Sequence, residues 1–429
     1  MKYLLEKFLQ SLAYLLVRKY KPTIIAITGS VGKTSAKEAI HAVLKDYFDV
    51  WKSPANYNNE LGVPLTIIGC ESAGHSIKKW LGAFWRGFSL LFGKHHYPKI
   101  LVLEMGADHP GDIKNLVKLA PPTIAVVTAV SPVHLEFFSN LKKVAAEKSK
   151  ILEKLTTDGT AILNADDELV LEMKQKTKSK VLTFGFNSGA SVYALELIES
   201  LGNGLEKGEA LGKVNFKIAY EGSIVPMSLI NVLGRQHVYA ALAATAVGLT
   251  LGLNLIEISK GLEKYEAPRG RMKLIPGIKN TLLIDDTYNS SPRAALEALD
   301  VLGRLPAAEN TRRFAVLGDM LELGAFTEEA HKQVGERAAK CADRLILVGE
   351  AMSFAKKAAV KSGLAEEHIL HFHNAPEAGH FLQDEVKEGD VLLIKGSQGM
   401  RMEKVVKELM AEPLKAGELL VRQSKEWLD

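Results

Sequence analysis

An apolar run leads into a glycine-bounded turn and a helix-forming stretch at Ile24-Ile25-Ala26-Ile27-Thr28-Gly29-Ser30-Val31-Gly32-Lys33-Thr34. These residue types suit a phosphate. Gly29 and Gly32, with Ser30 and Val31 between them, let backbone N–H groups close around an anion, and the helix N-terminus that follows adds positive potential. Lys33 supplies a formal charge, and the Thr34 hydroxyl can hold Mg²⁺. A tight strand-to-helix turn alone does not require Gly, Lys and Thr to coincide, so the stretch points to a nucleotide, ATP or GTP. The spacing is G-x-x-G-K-T; the longer phosphate-loop pattern has one more glycine, at the place Ile27 occupies here.

A nucleotide phosphate calls for a hard cation with oxygen ligands. Glu104 ends the apolar run Leu101-Val102-Leu103 and is followed by Met105-Gly106, which places a carboxylate at the C-terminal edge of a parallel sheet. His134 follows the next such run at the equivalent edge, where a histidine either bonds structurally or binds metal. Lys148 lies on a helix whose other lysines look like a solvated face, and spacing alone does not distinguish it. Asn56, Asn58 and Asn59 form a polar loop before a helix, either turn residues or phosphate contacts.

Elements must position these groups, and composition says what kind. The 429 residues are 47% hydrophobic and 24% charged, with 35 Gly and 15 Pro, which excludes collagen-like, low-complexity and largely disordered chains. Fifty-four Lys and Arg against fifty Asp and Glu leave a net charge of +4, so no bulk charge points to nucleic acid. The two cysteines, Cys70 and Cys341, have no metal-ligand spacing; they are expected to be buried small hydrophobes in a reducing cytoplasm.

From Pro22 the pattern alternates short β-branched runs with helical periods: Ile24 to Thr28, Ile100 to Met105, Ile124 to Val130, Ala161 to Asn164 and Val181 to Phe184. That rhythm predicts an α/β fold with a mostly parallel sheet. Residues 187 to 232 read as a small antiparallel extension, with helices from Gln236 to Leu251 and Leu255 to Tyr265 after it. A linker at residues 266 to 270 precedes a second α/β round with strands at Leu282 to Asp285, Phe314 to Leu317, Arg344 to Val348 and Val391 to Lys395. The expected domains are a helix over 1–22, a central nucleotide-binding domain over 23–268 and a smaller Rossmann-like domain over 269–429.

Two amphipathic stretches stand out. In the first twenty residues Tyr3, Leu4, Phe8, Leu12, Leu15 and Leu16 recur at helical spacing, and no cleavage site follows. Residues 78 to 92, KKWLGAFWRGFSLLF, are too short and interrupted to span a bilayer. They form either a packed helix with an aromatic face or an exposed patch for a partner, a membrane surface or a substrate.

Taken together, the motifs resemble the Mur ligases, ATP-dependent amide ligases of peptidoglycan precursor synthesis, and above all the branch that joins D-alanyl-D-alanine to UDP-N-acetylmuramoyl-tripeptide. The stretches are TGSVGKTSAKE (28–38), NYNNELGVPLT (56–66), LEMGADHPGDI (103–113), HLEFFSN (134–140), AILNADD (161–167), APRGRM (267–272), IDDTYNSSP (284–292), LGDMLELG (317–324) and IKGSQGMRMEKVV (394–406). The family's short phosphate loop accounts for Ile27. The resemblance implies that a substrate carboxylate attacks ATP to give an acyl phosphate, which an amine then converts to an amide.

It further implies Lys33 on the β/γ phosphates, Thr34 and Glu104 on Mg²⁺, His134 on a second Mg²⁺, and Lys148 as a carbamylated lysine. Asn59 is expected to meet phosphate, Arg271 to close onto the ATP phosphates and Asp286 to hold the ribose. Asn289, Lys395 and Ser397 are expected on the amino-acid side. At the adenine-side motif this chain departs from the family: Gln236 stands for a His, His237 for the first Asn and Ala240 for the second. About 22 residues precede the phosphate strand, where the family carries a UDP-sugar domain. An insertion over about 70–98, with the N-terminal helix, is expected to replace part of that substrate surface. The implied partners are a peptidyl nucleotide-sugar and a dipeptide or amino acid, handled by a monomer. Another acceptor, as in folylpolyglutamate or cyanophycin synthetase-like enzymes, and a P-loop NTPase switch without ligation are the competing readings.

Overall fold

Four apolar runs in the first half of the chain become parallel strands because each is buried on both faces and so needs no polar alternation. They are β1 (Thr23–Thr28), β3 (Ile100–Glu104), β4 (Ile124–Val127) and β5 (Thr160–Asn164), joined by the partly buried β2 (Val50–Lys52) and β6 (Lys180–Gly185). The computed structural model describes residues 2–54, 57–71, 76–131, 140–202, 210–305, 311–424 and 427. His134 and Asn56 lie outside these. The order is β2-β3-β1-β4-β5-β6, continued by β7 (Val192–Leu201), β8 (Gly212–Tyr220) and β9 (Ser223–Ile230). Parallel register pairs Ile27 with Glu104 on one side of β1 and with Val126 on the other. Strand order thus reverses at β1, so its C-terminal end is where an open α/β sheet forms its binding crevice.

The extension over residues 187 to 232 turns from β8 into β9 at Glu221 and Gly222, with φ of 45° and 79°. Positive φ at both central residues matches the twist of a two-residue hairpin. Strand β4 stops at Val127 rather than Val130, because the chain turns there to meet the phosphate loop. The three-residue β2 has too few residues to show a period.

A second six-stranded sheet has the order β10-β11-β15-β12-β13-β14, with β10 (Lys273–Pro276) antiparallel and the rest parallel. Its members are β11 (Leu282–Asp286), β12 (Arg313–Gly318), β13 (Arg344–Val348), β14 (Ile369–Phe372) and β15 (Val391–Lys395). Separate apolar clusters form around it, one with Leu299, Val334 and Ala355 and the other with Leu382, Val405 and Leu409. The chain divides into two compact units: Met1–Glu196 with Phe216–Met227 and Val238–Tyr265, and Leu197–Asn215 with Ser228–His237 and Glu266–Asp429.

Helix α1 (Lys2–Tyr20) forms as its periodicity predicts, but its buried stripe is Leu9, Leu12, Ala13 and Leu16, while Phe8 and Leu15 stay exposed. Between β1 and β3 come α2 (Lys33–Leu44), α3 (Gly62–Ile68) and α4 (Ile77–Phe92). The aromatic stretch is thus both things expected of it: Ala83, Gly87 and Leu90 pack inward, and Leu81, Trp85 and Phe92 face out. Both cysteines are free thiols; Cys341 is buried, whereas Cys70 is only half-buried.

Candidate functional site

The phosphate loop is held in place by the end of β4. Thr128 Oγ1 donates to Val31 O at 2.6 Å, Ser30 N to Ala129 O at 2.7 Å, and Ser131 N to Ser30 Oγ at 3.0 Å. Gly29 has φ 151°, and a Cβ there would lie 2.0 Å from Thr128 Oγ1. Gly32, φ 85°, starts α2 in the left-handed region that favours glycine. Gly29→Ala is therefore expected to lower stability by about 1–3 kcal/mol, read as a fall in urea midpoint. Lys33 Nζ donates back to Gly29 O at 2.7 Å, so an ammonium stands at the mouth of the loop.

Glu104 sits 2% exposed at the end of β3, beside that loop. Thr34 Oγ1 donates to its Oε2 at 3.1 Å, and Asn58 Nδ2 to its Oε1 at 3.3 Å. The structure adds Lys37, fully buried, with Nζ 3.8 Å from Glu104 Oε2 and 3.5 Å from Glu38 Oε1. Lys37 could have been found from its helical spacing: it lies one turn after Lys33 and Thr34 on α2, on the face that must meet β3. Asn59 is placed differently from Asn58. It is exposed, and its Oδ1 accepts from Leu61 N at 3.2 Å and Gly62 N at 2.9 Å, which caps α3.

Lys148 lies near the C-terminal end of the Leu141–Ser149 helix and is 3% exposed, unlike the solvated lysines around it. Burial, reinforced by the charge of Lys33, pulls its ammonium down to about 7. Its neighbour Glu147, which spacing did not single out, accepts from Gly111 N at 2.9 Å and Ile113 N at 3.0 Å, at the start of α5 (Asp112–Leu119). A carboxylate there satisfies orphan helix donors. Glu147→Gln is expected to cost about 1 kcal/mol in a denaturant titration.

The AILNADD stretch builds the neighbouring wall. Asn164 Nδ2 donates to Thr128 O at 2.8 Å, and Asp167 Oδ2 accepts from Val130 N at 2.7 Å. Asp166 takes the Phe186 N–H at 2.6 Å and the Tyr239 hydroxyl at 2.8 Å.

In the second unit the guanidinium of Arg271 stacks 4.0 Å above the Tyr288 ring. Asp286 accepts from Lys395 Nζ at 2.6 Å and Met272 N at 3.2 Å, and Lys395 also donates to Asn289 O at 3.0 Å. Asp286, Asn289 and Lys395 are thus one network in which both carboxylate oxygens of Asp286 are engaged. Lys395→Met strands a buried carboxylate and is expected to cost about 3–5 kcal/mol in urea unfolding. Ser397 Oγ accepts from Leu321 N at 2.9 Å, and Asn289 Oδ1 from Ser290 N at 2.9 Å.

Next in sequence to Asp286, Asp285 is pushed up to about 6 by burial although it accepts from Gly270 and Thr287. Arg422 was not anticipated; it donates to Thr287 O at 2.5 Å and Tyr288 O at 3.1 Å and pairs with Glu403 at 2.7 Å, which fixes the loop after β11. Of the adenine-side pair, Gln236 Nε2 turns back to Leu233 O at 3.1 Å. His237 is fully buried, and burial lowers it to about 4, so its ring is neutral and faces the interior.

Among the described residues no group of three or more His, Cys, Asp or Glu forms a metal cluster. Thr34 and Glu104 nevertheless bring two oxygens together beside the loop. That fits Mg²⁺, which takes few protein oxygens and completes its shell with water and substrate phosphate.

The Mur ligase middle-domain pattern matches residues 27–77 and 88–248, and the Mur ligase glutamate ligase domain matches 270–398. UDP-N-acetylmuramoyl-tripeptide–D-alanyl-D-alanine ligase of Escherichia coli K12 is 34% identical over 399 residues, 92% of this chain and 78% of that protein. The chain belongs to the Mur ligase family. Another Mur ligase, the enzyme of the same name from Bacillus subtilis 168, is 28% identical over 407 residues, 95% of this chain and 80% of its own length. The crystal structure of MurF from Acinetobacter baumannii superimposes with a TM-score of 0.76 at 27% identity, covering 94% of this chain and 79% of that one. MurF ligase from Thermotoga maritima, solved in complex with ADP, gives 0.75 at 27% identity, covering 94% and 83%. The shared Mur ligase pattern leaves out residues 78–87, within the segment where an insertion is expected over about 70–98.

Proposed function

We propose that this Mur ligase joins D-alanyl-D-alanine to the tripeptide carboxylate of UDP-N-acetylmuramoyl-tripeptide at the expense of ATP. The observation that carries the reading is the Lys33, Thr34 and Glu104 cluster at the switch point of the first sheet, in a chain that matches both Mur ligase domains along its length. The substrate carboxylate attacks the γ-phosphorus, the β–γ bridge bond breaks, and ADP leaves; the amine of the dipeptide then attacks the acyl carbon, and phosphate departs as the amide forms. Such transfers need positioned charge more than covalent help from the protein.

Each group has a part in that scheme. The backbone of Gly29 to Gly32 cradles phosphate oxygens, and Lys33 leaves its carbonyl partners to neutralise charge on the β/γ side. Thr34 and Glu104 would hold Mg²⁺, which when bound spreads the charge of the phosphates; Asn58 and Lys37 keep Glu104 in one orientation. Lys148, its ammonium drawn down to about 7 by burial, has a neutral amine fraction near physiological pH that is suited to react with CO₂, the amine nitrogen bonding to carbon with loss of a proton. The carbamate then presents a carboxylate where an ammonium would repel a cation. Arg271 is assigned to phosphate and Asp286 to ribose, with Asn289, Lys395 and Ser397 on the amino-acid side; Asp286 must then release Lys395 or Met272 N to reach a ribose hydroxyl.

The cytoplasm is where ATP and a nucleotide-sugar are both available, and two free thiols suit it. Among the described residues no helix is long and apolar enough to cross a membrane. Mass spectrometry of the product tests the substrate assignment. The tripeptide nucleotide should gain D-Ala-D-Ala less one water, and a product only with another amine or acceptor would replace this reading by a related ligase.

A further inference from the structure

The outward face of α4 is unlike the rest of the surface. Lys78, Leu81, Trp85, Phe88 and Phe92 recur at steps of three and four and so form one stripe along the helix. Their apolar members are conspicuously open to solvent: Leu81 is 63% exposed, Trp85 77% and Phe92 81%. Phe8 of α1 extends the patch, with its ring 5.8 Å from that of Phe88, and Phe88 in turn stacks on Phe92 at 6.2 Å.

The stripe is held rigidly. Gly87 lets α1 come close, since a Cβ there would lie 2.2 Å from Leu12 Cδ2. Lys19 Nζ donates to the carbonyls of Leu90, Leu91 and Gly93 at 2.8 to 2.9 Å, and the Tyr20 hydroxyl donates to Leu90 O at 2.7 Å. The C-terminal carbonyls of α4 are thus capped by α1 rather than left for a partner.

Charge identifies what the face fits. Residues 2–21 and 77–99 together hold ten Lys and Arg against one acid, Glu6, leaving 44 basic and 49 acidic residues for the rest of the chain. Lys7, Lys78, Lys79 and Lys94 are exposed at this end. We propose that α4, with the edge of α1, docks on a bilayer surface carrying anionic headgroups. The aromatic stripe enters the headgroup boundary and the surrounding lysines meet the negative surface. A second copy of the chain would set one basic face against another, which the charge disfavours. The shared Mur ligase pattern omits residues 78–87, so the Leu81 and Trp85 half of the stripe lies outside what the family holds in common. Docking through this face places the ligase at the membrane surface, and among the described residues no helix is long and apolar enough to cross the bilayer.

Sedimentation of the full chain with vesicles tests this. With vesicles of phosphatidylcholine containing about one-third phosphatidylglycerol, the protein should sediment, and it should do so at least about tenfold less with phosphatidylcholine alone. Raising the salt should release it. The double substitution Trp85→Ser and Phe92→Ser should lower partitioning about tenfold or more while the urea unfolding curve stays that of the parent, which shows that the variant is folded. The proposal is overturned by failure of the parent to sediment with the mixed vesicles or by equal partitioning of parent and variant. Lipid-free self-association that the same substitutions abolish, without vesicle binding, would assign the face to a second copy instead.

Discussion

Lys148→Ala is expected to lower ligase turnover by about 10³-fold, and added short carboxylates such as formate or acetate are expected to restore part of it. The reason lies in burial. An ordinary lysine near 10.5 is neutral in only about one chain in three hundred at pH 8, whereas an amine drawn down to about 7 is neutral in about nine of ten. Only the neutral form attacks CO₂. Lys148 is 3% exposed and feels the charge of Lys33, so a permanent ammonium there is unfavourable and a carbamate reverses its sign. Full activity of the alanine variant, or a loss that no carboxylate repairs, contradicts the assignment.

The same depressed pKa sets a stability trend in CO₂-free buffer. Between about pH 7 and the unfolded value of 10.5 the native state binds fewer protons than the unfolded chain, so stability attributable to Lys148 rises with pH across that window. The urea midpoint of the parent should therefore rise relative to that of Lys148→Ala from pH 7 to pH 10.

Glu104→Gln should be the second large effect, a fall in turnover of about 10²–10³-fold together with a higher Mg²⁺ requirement. Glutamine keeps the size of the side chain and can still meet Thr34 and Asn58, but it removes the charge that a hard cation needs. It also removes a carboxylate charge beside Lys37, which is buried at 0% exposure, so some loss of stability should accompany the loss of activity. Titrating turnover against Mg²⁺ separates the two, because a purely structural defect lowers the maximum without moving the midpoint. An unmoved midpoint would remove Glu104 from the metal site.

Much of this arrangement is legible in the amino-acid order. Parallel strands buried on both faces read as apolar runs, so β1, β3, β5, β13 and β15 are found within a residue or so of their ends. Glycine, lysine and threonine after β1 announce the loop because few backbones other than glycine tolerate its dihedrals. What the pattern does not carry is partnership at a distance. Lys148 and the solvated lysines beside it look alike in sequence, and burial alone separates them. Asn58 and Asn59 are adjacent and chemically identical, yet the first bonds Glu104 and the second caps α3.

The same limit explains Asp286, read as a ribose acid by resemblance and found paired with Lys395 across neighbouring strands β11 and β15. Such a pair depends on sheet order, which sequence does not contain. Arg422 is hidden for the same reason, since it meets carbonyls 134 and 135 residues earlier in the chain. The exposed side of α4 is a different case. A helical period shows that a helix has an apolar stripe, but here both faces are apolar, and only the packing of Gly87 against Leu12 decides which one is left outside.

ADP release is the measurement closest to the central claim, taken with ATP and Mg²⁺ present and the tripeptide nucleotide and D-alanyl-D-alanine added singly and together. Sustained release only when both are present, matched by amide formed one for one, is the predicted result. Release that proceeds at the same rate with neither substrate would contradict the ligase account and leave a nucleotide hydrolase in its place.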